Sequence, residues 1–252
     1  MVSVSFLVNY AARAVRIHWK AVLLFIVLQT LFILIGIIPL IGIVGDILST
    51  LQITSVAVFY GKKLREFGKS ATLMLSSETC ATNILFGNWN VSAGIILASV
   101  VAIIPLLIFS YLTAFLFGVT EPPQAENQTY GYIVKLFFFF LLNATVWSWY
   151  LYVLPYANGK AIVSSSFSES FYSFLKTFIS EEQFKTLNGN YFKFLFLSFL
   201  LLIVFVAITT VLAVTIIFSP IALAFVYGLN VYYGSMCVSC YNLITESEFA
   251  NA

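Results

Sequence analysis

The stretch AVLLFIVLQTLFILIGIIPLIGIVGDILSTLQITSVAVFY, residues 21–60, is almost continuously apolar and carries one charge, Asp46. As one α-helix its 40 residues would reach about 60 Å, twice the roughly 30 Å of a bilayer core. Pro39, Gly42 and Gly45 instead permit a tight reversal within IIPLIG (37–42). The stretch therefore reads as two membrane spans, 21–38 and 40–60, joined by almost no loop.

The rest of the chain follows the same plan. Further apolar runs cover 91–117, 132–154, 192–218 and 220–243, giving six spans. The last two meet at FSP (218–220), and the middle two are joined by a longer polar loop, GVTEPPQAENQTYG (118–131). The runs lack the alternation of a barrel strand, and a helix satisfies its own backbone in lipid, so the expected class is all-α. Composition agrees: 61% of the 252 residues are hydrophobic and 9% charged, against roughly 25% charged in soluble domains. No cleavable signal is expected, because the first run begins near Lys20 and leads directly into the second. The chain reads as a single transmembrane domain over 1–252, with hairpin units at about 1–70, 71–165 and 166–252.

Basic residues orient the spans. With both termini cytoplasmic, Arg13, Arg16, Lys20, Lys62, Lys63, Arg65, Lys69, Lys160, Lys176, Lys185 and Lys193 all fall inside, and only Lys135 lies near the outer face. The expected location is a cell membrane. The low lysine content and abundant Phe, Ile and Val fit an archaeal or bacterial one. On this topology Asn90 is inside and Asn143 is within a span, so Asn127, in Asn127-Gln128-Thr129, is the acceptor left for a glycan in a glycosylating host.

A polar, aromatic step precedes each inward-to-outward span: RIHWKAVLLF (16–25), FGNWNVSAGII (86–96) and NGNYFKFLFL (188–197). Trp19, Trp89 and Tyr191 are expected at the inner headgroups, with Lys20 and Lys193 snorkelling beside them. Before each step lies a mixed segment, 2–16, 71–87 and 166–187, read as a helix in the inner interface. The unit is then an interfacial helix followed by a hairpin, used three times. True internal repetition and the common anchoring needs of three hairpins both account for it.

Polar residues inside the spans are the candidate site. Gln29, Gln52, Asn143 and Asn230 lie near the midplane, and every outward-to-inward helix carries one. Such amides should point into the bundle. They read either as a substrate site, as in transporters, or as interhelical hydrogen bonding, the preferred reading. Asp46 reads as a helix-start cap, or else as a cation or proton site. Small-residue and aromatic stripes suited to close helix contact occur as Gly42, Gly45, Ser49 and Gln52, and as Tyr227, Asn230, Gly234, Cys237 and Tyr241.

Little points to catalysis, and the expectation is a non-enzyme with no cofactor and no nucleic-acid partner. His18 is the single histidine, which argues against a histidine-based metal cluster or a Ser-His-Asp site. Cys237 and Cys240 have redox-like spacing but stand in an apolar helix, and Cys80 is expected to be buried or interfacial. No phosphate-binding loop is present, so the chain supplies no ATPase of its own.

In layout the chain resembles a group of six-span prokaryotic membrane proteins, including the YciC-like family and the membrane domain attached to some glycerophosphodiester phosphodiesterases. The resemblance rests on HWKAVLLF (18–25), NYFKFLFL (190–197), the proline-broken hairpins and YGKKLREFGKS (60–70). It brings no functional residues with it. The leading function is a scaffold or a subunit of a membrane assembly, with the bilayer and other membrane subunits as partners. The alternative is a transport component, such as an ABC-2-type permease subunit working with a cytoplasmic ATPase. In that case the segment 62–80, starting with Lys62, Lys63, Arg65 and Glu66, would dock the ATPase. An intramembrane enzyme is the third and least supported reading.

Overall fold

A computed structural model describes residues 2–38, 41–73, 75, 79–120, 129–214 and 219–251. Among these are the α-helices α1 (Val4–Ile17), α2 (Trp19–Gly36), α3 (Gly42–Phe67), α4 (Ala81–Phe86), α5 (Trp89–Phe117), α6 (Thr129–Ile162), α7 (Phe167–Ile179), α8 (Gly189–Val214) and α9 (Ser219–Asn251). Short 3-10 turns occupy Gly68–Thr72 and Glu181–Thr186. Six helical segments are long and apolar enough to cross a membrane: Trp19–Gly36, Gly42–Phe67, Ala81–Phe117, Tyr130–Ile162, Gly189–Val214 and Ser219–Glu246. The protein is a polytopic, all-helical membrane protein.

Local chemistry sets where the helices start and stop. Ser3 caps α1 by accepting from Phe6 N, and Ser166 caps α7 by accepting from Glu169 N. The Glu169 carboxylate in turn accepts from the Ser165 amide and hydroxyl, which holds its pKa below the ordinary carboxylate range. His18 closes α1 and opens α2, so the two helices meet with a single residue between them. Gly118, at φ 61°, ends α5 with the left-handed cap that only glycine adopts cheaply. Several helices outrun the expected spans. α3 continues to Phe67 because Lys62, Lys63, Leu64, Arg65 and Glu66 are good helix formers. Pro39, Asn127 and Phe218 lie outside the described residues.

Three pairs of long helices meet through polar contacts: Gln29 of α2 with Gln52 of α3, Thr113 of α5 with Asn143 of α6, and Tyr232 of α9 with Ser198 of α8. α9 is the hub, packing on α1, α2, α3, α6 and α8. Its approach to α3 and α6 is close enough to demand glycine. A Cβ on Gly234 would lie 2.1 Å from the Ala57 carbonyl oxygen, and one on Gly159 would lie 2.0 Å from that of Cys237.

Burial is uneven along the spans. The core gathers at the end of the bundle that carries His18, Leu64, Leu85, Ile162 and Tyr191, which is also where Lys and Arg concentrate. Toward the opposite end the helices show apolar side chains outward, as at Ile37 (73% exposed), Leu116 (79%), Tyr130 (80%) and Val214 (81%). That surface is stable only in lipid or against other apolar helices.

Candidate functional site

The four in-span amides fall into three separate hydrogen-bond sets. On the α2–α3 pair, Gln29 Nε2 donates to Gln52 Oε1 at 2.8 Å and to the Ser49 carbonyl at 3.3 Å. Ser49 Oγ donates to Gln29 Oε1 at 2.7 Å. This contact exists because glycine lets the helices close: a Cβ on Gly45 would fall 2.6 Å from the Phe32 carbonyl oxygen. On the α5–α6 pair, Asn143 Nδ2 donates to Thr113 Oγ1 at 3.0 Å and to its own helix at the Phe139 carbonyl, 2.9 Å. Asn230 Nδ2 donates to the Val226 carbonyl one turn earlier, at 2.7 Å. Gln52 Nε2 and Asn143 Oδ1 are buried with no hydrogen-bond partner among the described residues.

A second convergence of polar groups sits at the junction of α1, α2, α3 and α9. His18 Nδ1 lies 2.6 Å from the Tyr60 hydroxyl, which is 2.8 Å from the Tyr227 hydroxyl. Tyr10 donates to the Tyr60 carbonyl at 3.3 Å. All four side chains are buried, and their rings pack edge-on or tilted: Tyr10 and Tyr227 each stand at 81° to Tyr60. The set ties α1 into the bundle, since Tyr10 is the buried polar end of its apolar face. In the sequence His18 is the single histidine and Tyr227 falls on a stripe of α9, and nothing in their spacing joins them. The signal was only that each is a hydrogen-bonding aromatic beside an apolar run.

Near the same end, Asn158 Nδ2 donates to the Tyr233 hydroxyl at 2.7 Å, and Tyr191 donates to the Tyr152 carbonyl at 2.8 Å. Tyr191 is thus buried, not laid among headgroups, because α6 supplies its hydroxyl with a partner. Trp19, by contrast, is exposed at the first residue of α2, as an interfacial anchor would be.

The charged segment after the second span is bound up within the chain. Lys63 Nζ pairs with Glu66 Oε2 at 3.2 Å. Arg65 donates to Asn242 Oδ1 and lies over the Tyr241 ring. Lys62 is half-buried on the last turns of α3. Asp46 is not a cap: α3 starts at Gly42 after Ile41, so Asp46 is one turn inside and exposed. Cys80 is exposed, contrary to expectation, because it stands just before α4 outside the packed core. Its Sγ lies 3.0 Å from Thr82 Oγ1, and that hydroxyl and the Thr82 and Asn83 backbone amides lower the thiol's pKa. Cys237 and Cys240 are free and buried. No group of three or more His, Cys, Asp or Glu able to hold a metal occurs among the described residues.

Comparison with protein-family models, curated proteins and solved structures finds no match to this chain.

Proposed function

We propose that the protein is a non-enzymatic subunit or scaffold of a membrane assembly in a cell membrane. Its six spans form three hairpins, each led by a helix at the cytoplasmic face, and both termini are cytoplasmic. The observation that carries this reading is how the in-span amides are used. Gln29 and Gln52 bond to each other, Asn143 bonds to Thr113, and Asn230 bonds to its own helix. A transporter would turn such groups toward a shared path at the midplane. Here the Gln29–Gln52 and Asn143–Thr113 contacts are helix-to-helix bonds, and Asn230 is satisfied within α9. The exposed apolar ends opposite the basic end then offer the surface on which partner helices pack. The intrachain pairing of Lys63 with Glu66 and of Arg65 with Asn242 leaves that segment less free to dock an ATPase.

The test is purification in a mild detergent with identification of co-purifying proteins by mass spectrometry. Other membrane proteins in fixed ratio, without an ATPase, are expected. A stoichiometric soluble ATPase would overturn the scaffold reading in favour of the permease.

A further inference from the structure

A groove among the described residues lies apart from the in-span amides. It encloses about 730 Å³ between a wall of α1 and α2 and a wall of α8 and α9. Both α2 and α8 pack on α9, which leaves the space between them open at the side of the bundle. Its lining is apolar, with Val15, Trp19, Ile26, Phe205, Phe225 and Leu229 among its walls. The stretch of α9 along it, from Pro220 to Tyr232, rises about 18 Å, close to the depth of one leaflet of a roughly 30 Å core.

Basic residues of α1 lie beside the groove. Ala12, on α1, lines the groove and also a shallow depression formed with Asn9, Arg13, Arg16 and Ile17. Arg13 and Arg16 are exposed, and no ion pair joins either to a carboxylate among the described residues. Trp19 lines the groove at the first residue of α2, and Lys20 Nζ stands 5.9 Å from its ring centroid. Cationic side chains and an indole at the foot of a leaflet-deep apolar slot match a phosphate headgroup above an acyl chain.

We propose that this groove is a binding site for one anionic glycerophospholipid. An acyl chain fills the slot between α2 and α8, and the phosphate pairs with Arg13 and Arg16 beside it. Guanidinium groups suit this role because they bind phosphate oxygens through paired N–H donors. The site requires only that the basic end meets one headgroup layer, whichever side of the membrane that is, so it stands apart from the scaffold reading.

The experiment uses the full chain, delipidated in detergent and titrated with phosphatidylglycerol or phosphatidylcholine, with native mass spectrometry and thermal midpoint as readouts. Wild type should retain phosphatidylglycerol preferentially and gain thermal stability from it. Arg13→Gln/Arg16→Gln should weaken phosphatidylglycerol binding roughly tenfold and leave phosphatidylcholine unchanged. Ala12→Phe, at an exposed position of α1, should block both lipids. Equal retention of the two lipids by wild type would overturn the proposal, as would a preference that survives the double substitution. Unchanged thermal midpoints of the variants in detergent alone show that a loss is not misfolding. Should the double variant be unstable, Arg13→Lys/Arg16→Lys replaces it. Loss of the bidentate contact with charge kept should then weaken phosphatidylglycerol selectively, and an unchanged affinity would count against the assigned phosphate contact.

Discussion

Replacing Gly159 or Gly234 by alanine probes the hub around α9. A Cβ would stand 2.0 Å from the Cys237 carbonyl oxygen at Gly159 and 2.1 Å from the Ala57 carbonyl oxygen at Gly234. Real Cβ contacts essentially never fall below 3.0 Å, so each substitution must push the facing helices apart by about 1 Å. The obstacle is backbone on a helix, not the tip of a flexible side chain. A gap of that size forfeits roughly a quarter to a half of the dispersion attraction of the atoms across it. It also disturbs the neighbouring Asn158–Tyr233 bond. Against this, alanine gains about 0.5–1 kcal/mol in helix propensity. The expected net loss is about 2 kcal/mol for each variant, within the usual cost of overpacking. Gly228→Ala is the control: its Cβ would meet Val15 Cγ2 at 3.4 Å, an ordinary contact, so stability should hold or rise. Unfolding in mixed micelles with increasing SDS measures all three. Gly159→Ala and Gly234→Ala as stable as Gly228→Ala would refute the close packing of α9 on α3 and α6.

Gln29→Leu removes the partner of Gln52 and should cost about 1–2 kcal/mol, whereas Gln29→Leu/Gln52→Leu should lie nearer wild type, a cycle read by the same unfolding assay. Additive losses would show that the two amides do not act together. At Glu182, burial pushes the carboxyl's pKa up, but the Lys160 hydrogen bond and the charges of Lys160, Lys176 and Lys185 outweigh it, leaving a net depression. A depressed carboxylate stabilises above its unfolded pKa of about 4.3 and loses that contribution as pH falls through the folded value. Thermal midpoints should therefore drop on acidification, and Glu182→Gln should be less stable by about 1 kcal/mol at pH 7 and lose some of that pH dependence. With its pKa lowered by Thr82, Cys80 should react with a maleimide faster at pH 7 than an ordinary exposed thiol. Timed alkylation should show Thr82→Val slowing it.

The spans were legible because lipid imposes long apolar runs. Residues 21–60 could not be one helix, and α2 and α3 do lie on either side of the reversal. Helix ends were less legible. The continuation of α3 through Lys62–Phe67 depends on helix propensity beyond the apolar run, and α9 likewise passes its apolar limit to Asn251. The amides were visible as polar residues in apolar surroundings, but their partners depend on register between helices. Gly45 sets the approach that brings Gln52 to Gln29, a consequence of packing that no single position states. The His18–Tyr60–Tyr227 chain was not legible, since its members are 42 and 167 residues apart in sequence. The uneven burial along the spans was equally hidden, because both halves of each span are apolar and hydropathy does not distinguish an exposed Val211 from a buried Val231.

Membrane sidedness of the native thiol tests the central claim most directly. Cys80 is exposed at the basic end, and Cys237 and Cys240 are buried, so an impermeant maleimide on the folded protein reports Cys80. The account predicts no labelling in intact cells and full labelling in inside-out vesicles. Thr120→Cys, one span away beyond α5, should show the reverse in a Cys80→Ser background. Labelling of Cys80 in intact cells, or of both positions from the same side, would contradict the six-span topology with a cytoplasmic basic end.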